Sequence, residues 1–485
     1  MKKRPNIVVF MTDQQNGDTV FGGASRAITP NLDRFREDGV SFTQAYCLSP
    51  HCCPSRASFF SGLYPSQHGV WNNVEVDNAL TRGLYDGVTL FPQLLKKSGY
   101  HTIFSGKWHV SAYEGPTDRG FDENLHEYIS NYGRFSPENR PRTKDWEMVY
   151  DCPLSYGPVT DGCLRRLGYP DYQQYGTMPD AYGDQVTVDR ACARIRDYDW
   201  SKPLFLYVGT TGPHDPYTPP KEFLDLYPIE DLRLPENFRD DLKGRPNLYK
   251  RTRDRYDLTQ KQQLESLRHY LAFVSYEDAL FGQVLETLEA SGQMDNTYVL
   301  YLSDHGDYAG AHGLWAKGLP CFREAYRIPA IFGGGNIMRT GDVGELVSIL
   351  DFAPTILELA GIASPKVTVG LSLTPFLRGE TPQKWRQEIC TQTNGNELYG
   401  IQRAVWDKQW KYVFNGFDYD ELYDLERDPL ETHNRINDPS CAPIIKRMCR
   451  KMWLNAKETG DNCTCAYIMV SLAPYGPGIV WDGEP

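Results

Sequence analysis

The sequence contains no apolar run approaching the ~20 residues needed to span a bilayer, no low-complexity tract and no internal repeat. Its first apolar stretch, Ile7 to Met11, is too short for a signal-peptide core, and Asp13 ends it without a small-residue cleavage site. A cytoplasmic location is therefore expected. Positive charge is also in deficit: 51 Lys and Arg face 63 Asp and Glu, a net charge of −12. That balance argues against nucleic acid and anionic membrane as partners. It leaves room for a small anionic substrate in a local cationic pocket. Cysteine is not scarce, at 12 residues. Without an export signal these read as reduced thiols rather than a disulfide framework, and the acceptor triplet Asn462-Cys463-Thr464 would go unused.

What is present is globular: 40% hydrophobic, 24% charged and 13% aromatic over 485 residues, more than one core usually organises. Strand-like runs at 6–11, 41–46, 101–105, 204–208, 298–302 and 330–332 alternate with helical stretches at 29–35, 54–62, 89–97 and 259–290. This alternation predicts an α/β fold with a large, mostly parallel sheet sandwiched by helices. Residues 115–200, rich in Pro, Gly, Tyr and Asp, are expected to be an insertion carrying substrate loops. Near 381 the pattern changes to short strands at 388–391, 401–405, 410–414 and 421–425, with a helix at 442–457. The expected division is a catalytic domain at 1–380, a small C-terminal α+β domain with an antiparallel sheet at 381–464, and an apolar Gly/Pro-rich tail at 465–485. The tail is expected to dock on this subunit or a neighbour, possible in a homo-oligomer.

Five polar stretches each follow a predicted strand: Thr12–Gln15, His51–Arg56, Gly106–His109, Thr211–Pro216 and Ser303–Gly318. Ligands of open α/β sheets bind outside the carboxyl ends of the strands, so these loops are expected to converge. Asp13 and Asp304 are hard oxygen donors, Gln14 adds a carbonyl and His305 an imidazole; together they suit calcium, manganese or magnesium. Either aspartate alone reads equally well as a helix cap. Arg56, Lys107, His109, His214 and Lys317 supply the cations and proton donors that sulfate or phosphate oxygens and a leaving alkoxide require. The Lys107-x-His109 alternation places both side chains on one side of an extended backbone. His68, His101, His126 and His269 read as structural, as does Asp351-Phe-Ala-Pro354. His312 and Trp315 read as packing or as substrate contacts.

Cys52-x-Pro54-Ser55-Arg56, followed by Ser61-Gly62-Leu63-Tyr64-Pro65, resembles the signature of the type I sulfatases of the alkaline phosphatase superfamily. Gly106-Lys-Trp-His109, Pro213-His214, Ser303-Asp-His-Gly306, Lys317-Gly318 and Glu421 to Pro429 are similar to other stretches of that family. The resemblance reaches about residue 435. It implies hydrolysis of a small sulfated substrate, aryl or carbohydrate, and oxidation of Cys52 to formylglycine by a formylglycine-generating or anaerobic sulfatase-maturating enzyme. It implies one divalent metal, calcium with manganese as the alternative, at Asp13, Gln14, Cys52, Asp304 and His305. Roles follow by the same route: a nucleophilic aldehyde hydrate at Cys52, Arg56 on that hydrate, and Lys107 on the sulfate. His109 would take a proton when sulfate leaves, while His214 and Lys317 would act on the departing oxygen.

Many members have Asp-Asp where this chain has Asp13-Gln14, and Asp-Asn where it has Asp304-His305. The version here resembles choline sulfatases and phosphonate monoester hydrolases, so phosphonate monoesters or phosphodiesters are the alternative substrates. A non-catalytic descendant would be expected to have lost a central group, and all are present.

Overall fold

The computed structural model describes residues 4–22, 26–126, 161–396, 398–461, 463 and 468–482. Eight strands form the large sheet: Asn6–Thr12 (β1), Val40–Phe42 (β2), His101–Gly106 (β3), Glu123–Asn124 (β4), Leu204–Gly209 (β5), Thr297–Ser303 (β6), Ala330–Gly334 (β7) and Gly341–Val343 (β8). Their order is β8-β2-β7-β6-β1-β5-β3-β4. Parallel pairing joins β6, β1, β5, β3 and β4, and also β2 with β8. β7 runs antiparallel to both of its neighbours.

Every residue of β1 is buried, as expected of a central parallel strand covered on both faces. Its side chains alternate between two cores. Ile7, Val9 and Met11 face Phe59, Phe60, Phe91 and Phe352. These come from helices Cys52–Ser61 (α2), Phe91–Lys97 (α3) and Phe352–Leu359 (α6). Val8 and Phe10 face Leu32, Val188 and Phe281, from Pro30–Glu37 (α1), Asp184–Arg196 (α4) and Gln260–Ala290 (α5). Thr259 caps α5 by accepting from Gln262 N at 3.3 Å.

Within 115–200, read from the sequence as an insertion carrying substrate loops, residues Asp184–Arg196 form the helix α4. Asp184, Thr187, Val188, Ala191, Cys192 and Ile195 are its buried residues, an i, i+3, i+4 stripe. Small or polar residues fill four of its six positions, which hides it from a hydrophobicity reading. The part of the expected insertion at 127–160 lies outside the described residues.

Ile389–Gly395 (β9), Tyr399–Trp406 (β10), Trp410–Asn415 (β11) and Glu421–Asp424 (β12) form a separate antiparallel sheet in sequence order. Met448, Met452 and Trp453 of helix Ala442–Thr459 (α7) pack on its Val405, Tyr412 and Phe414. Truncating Trp453 to alanine would cost about 3–5 kcal/mol. The described part of the tail docks on this helix: Trp453 Nε1 donates to Tyr475 O at 2.7 Å, and Lys457 Nζ lies 4.7 Å from the Trp481 ring centre. Residues 462, 464–467 and 483–485, and with them much of the Asn462 triplet, lie outside the described residues. Among the described residues no helix is long and apolar enough to cross a membrane.

Candidate active site

β1, β3, β5 and β6 run parallel, so their carboxyl ends and the loops that follow share one edge of the sheet. Asp13 and Gln14 follow β1, Lys107 and His109 follow β3, His214 follows β5, and Asp304 and His305 follow β6. The fifth stretch arrives differently. The strand expected at 41–46 splits into β2 and a two-residue strand, Ala45–Tyr46, of a separate three-stranded sheet. The chain then delivers Cys52 as the first residue of α2, a helix whose ten residues are all buried. At that position the partial positive charge of the helix N-terminus acts on the Cys52 side chain.

Asp13, Cys52, Asp304 and His305 present ligand atoms that all lie within 4.8 Å of one another, and all four are fully buried. Cys52 Sγ is 3.6 Å from Asp13 Oδ1 and 3.3 Å from His305 Nε2. His305 Nδ1 lies 2.9 Å from Gly306 O, which commits that nitrogen as the donor and leaves Nε2 as a ligand. Arg56 spans the two carboxylates, with Nη2 at 3.0 Å from Asp13 and Nε at 2.8 Å from Asp304. The cluster fits a divalent cation: two hard carboxylates crowd together around an imidazole whose lone pair points at them. Burial, then the neighbouring Asp13, push the Asp304 carboxyl above its ordinary range. For Asp13, burial and Cys52 act upward, but Lys107 and Arg56 outweigh them and hold it ionised.

The charge state of the Cys52 thiol is set by its neighbours. Burial raises its pKa, yet Lys107, Lys317 and His305 outweigh burial and hold it well below the ordinary thiol value. The position is thus built to carry negative charge. Lys107 Nζ lies 2.7 Å from Asp13 Oδ2 and 3.9 Å from Sγ.

Lys107 and His109 do not share an extended backbone, as their alternation suggested. β3 ends at Gly106, where φ is +102° and a Cβ would lie 1.9 Å from Gly209 O. His109 then turns into the left-handed region at φ 52°. Its Nε2 lies 3.6 Å from Glu75 Oε2, and its buried Nδ1 has no hydrogen-bond partner among the described residues.

Gln14 is likewise left-handed at φ 68°, a conformation that costs a non-glycine residue about 1–3 kcal/mol. Its amide nitrogen donates to Asp215 Oδ1 at 3.0 Å and to Asp307 Oδ2 at 2.6 Å. Those two carboxylates fix which end of the amide is nitrogen. Its carbonyl oxygen accepts from Lys317 Nζ at 2.5 Å, so a cation bound by Gln14 would have to share that contact. Lys317 Nζ also lies 2.7 Å from His214 Nε2.

Sequence reasoning quoted Asp215 and Asp307 within their loops without singling them out. Asp307 is fully buried and also accepts from the Tyr217 hydroxyl at 2.7 Å. Burial pushes it up to about 6. The signal for both was available as a carboxylate one and two residues after a chemistry-bearing histidine. His51 is buried and pushed down to about 3 by burial and by His305 and Lys317, so it is neutral.

The other histidines are structural. His68 Nε2 meets Ser58 Oγ at 3.0 Å, His101 pairs with Glu123 at 2.8 Å, and His269 Nδ1 donates to Glu265 O at 2.7 Å. His126 lies 3.3 Å from Arg190 Nη1. His312 stacks on Phe322 and pairs with Asp240, and Trp315 Nε1 donates to Gln263. Asp351 accepts from Ser348 N and Leu371 N at 2.8 and 2.7 Å.

The sequence profile of the Sulfatase family matches residues 5–362, and that of the N-sulphoglucosamine sulphohydrolase C-terminal region matches residues 310–458. A choline-sulfatase of Rhizobium meliloti is 30% identical over 450 residues, covering 90% of this chain and 83% of the relative. An arylsulfatase of Clostridium perfringens is 30% identical over 461 residues, covering 90% of each. The fold matches that of a phosphonate monoester hydrolase from Silicibacter pomeroyi with a TM-score of 0.75 and 23% identity, over 95% of this chain and 96% of that one.

Proposed function

The chain belongs to the sulfatase family and is a sulfuric ester hydrolase, and from that premise we propose that it cleaves aryl or carbohydrate sulfate esters with formylglycine matured from Cys52. A separate formylglycine-generating or anaerobic sulfatase-maturating enzyme would install that group. One observation carries the reading: Cys52, at the N-terminus of α2, sits among Asp13, Asp304 and His305 with Lys107 at 3.9 Å.

Asp13, Asp304 and His305 would hold a divalent ion, calcium by preference and manganese as the alternative, with Gln14 at its margin. Together the ion and the aldehyde hydrate supply Lewis acidity and an oxygen nucleophile at neutral pH that carries its own route to sulfate release. Arg56 keeps the two carboxylates together and compensates their charge. Lys107 neutralises charge on the sulfate oxygens. Lys317, hydrogen-bonded to His214, delivers a proton to the departing alcohol oxygen. His109, whose Nδ1 is without a partner among the described residues, receives the proton freed when sulfate departs. Residues 1–380 would form the catalytic domain and 381–464 the smaller one.

Phosphonate monoester hydrolysis is the second reading. The Gln14 and His305 positions, which resemble those of phosphonate monoester hydrolases, and the fold shared with one such hydrolase support it. Specificity constants for 4-nitrophenyl sulfate and 4-nitrophenyl phenylphosphonate on the same preparation decide between them. Peptide mass spectrometry of Cys52 tests the mechanism: full activity with an intact thiol would overturn it.

A further inference from the structure

A cavity of about 600 Å³ adjoins the site and shares His214, Asp215 and Lys317 with it. That volume accommodates a sugar-sized ligand. Its fixed charge is unequal: Arg166, Arg255 and Lys317 line it, against Asp215 as the carboxylate among the lining residues. Asp215 is already engaged. Its Oδ1 accepts from Gln14 at 3.0 Å, its Oδ2 accepts from the Tyr172 hydroxyl, and the His214 ring lies 3.4 Å away.

Arg255 is differently placed. Its Nη2 donates to the Tyr256 hydroxyl at 2.6 Å, and its guanidinium lies 4.7 Å from the centre of that ring. No described carboxylate comes within 4.0 Å of it, and Asp215 contributes to its environment only at longer range. Its Nε and Nη1 have no hydrogen-bond partner among the described residues. A planar fork with free donors, beside a leaving-group lysine, matches a carboxylate or a sulfate.

We infer that the alcohol part of the substrate carries a second anionic group, a carboxylate or a further sulfate, which Arg255 holds. The inference rests on the sulfatase reading and names the substrate class within it: an anionic sulfated sugar. A quaternary ammonium alcohol such as choline does not fit. Tyr169, Tyr172 and Tyr256 also line the cavity and would be the material of an aromatic cage. Arg255 already lies over the Tyr256 ring, and the Tyr172 hydroxyl is committed to Asp215. An arriving cation would meet the Arg255 guanidinium and, among the described lining residues, no free carboxylate.

The test compares kcat/KM of the matured enzyme for four probes: a neutral monosaccharide monosulfate, the same sugar with a second sulfate, a sulfated uronic acid, and choline sulfate. The wild type is expected to favour one or both doubly anionic probes over choline sulfate by about tenfold or more, the worth of one charge-assisted contact. Arg255→Ala should lower the ratio of doubly to singly anionic substrate about tenfold, and Arg255→Lys should restore part of it. The disulfate and uronate arms identify which anion is read. Raising the salt concentration should narrow the same ratio in the wild type, a readout that needs no variant to fold. A ratio unmoved by both Arg255→Ala and salt, or choline sulfate as the preferred probe, overturns the inference. Hydrolysis of 4-nitrophenyl sulfate reports separately on the underlying reading; its absence in the wild type would overturn both.

Discussion

Lys317 Nζ and His214 Nε2 lie 2.7 Å apart, and the imidazole is the acceptor, because His214 Nδ1 lies 2.5 Å from the Asp215 carbonyl and must donate to it. The lysine therefore carries the proton in this pair. Burial opposes its charge, but Cys52, Asp13 and Asp215 outweigh burial and raise its pKa. An ammonium that donates to both Gln14 and His214 has its remaining proton available to a third acceptor.

Lys317→Ala should slow hydrolysis of an alkyl or sugar sulfate by about 10²–10⁴-fold, the usual worth of a positioned acid. The loss on 4-nitrophenyl sulfate should be much smaller, because that phenoxide departs without a proton. Steady-state rates across leaving groups of graded basicity measure the difference. An equal loss on all of them would assign Lys317 to sulfate binding instead.

Removing divalent metal should abolish turnover, with calcium restoring it best and manganese next. Asp304→Ala should bind metal more weakly by a factor of ten or more, since it loses one of two ionised oxygen ligands. Elemental analysis of the dialysed proteins, alongside add-back assays, supplies both readouts. Full activity in a verified metal-free preparation would exclude the proposed site.

Arg56→Met should destabilise the metal-free protein by about 3–5 kcal/mol, because it leaves Asp13 and Asp304 buried without their shared counter-charge. Urea unfolding provides the measurement. Adding the divalent ion should recover more stability in Arg56→Met than in the wild type. The cation replaces part of the missing charge.

The contribution of Asp184 to stability should fall as pH rises from about 4 to 7. Asp184 accepts from Thr211 N at 2.8 Å and Gly212 N at 2.7 Å, anchoring the loop that carries His214. Burial outweighs those bonds and pushes its pKa up to about 7 from 3.8. The native state therefore binds more protons than the unfolded chain between these values, and the stabilisation is full below the lower one. Glu277 is buried beside Asp184, and burial and Asp184 raise its pKa well above the usual value. Glu277→Gln should flatten the slope of melting temperature against pH in this window. An unchanged slope would mean that the pair does not govern it.

The strand pattern of the large sheet was legible because β1, β3, β5 and β6 are buried β-rich runs bounded by glycine or polar loops. The same logic found β9 to β12 and α7. It missed α4, whose buried stripe includes Asp184, Thr187 and Cys192. It also assumed that Lys107 and His109 lie on an extended backbone, which the left-handed conformation of His109 prevents.

The residue types of the site were written in the sequence, because carboxylate, imidazole, guanidinium and ammonium groups can be recognised one loop at a time. What tertiary structure alone decided is which groups share charge and protons. Gln14 meets Asp307 and Lys317 across about 300 positions of chain, and Arg255 reaches the cavity from a segment with no motif of its own. Such contacts depend on where loops from parallel strands end in space, and a local pattern of side chains carries no record of that distance.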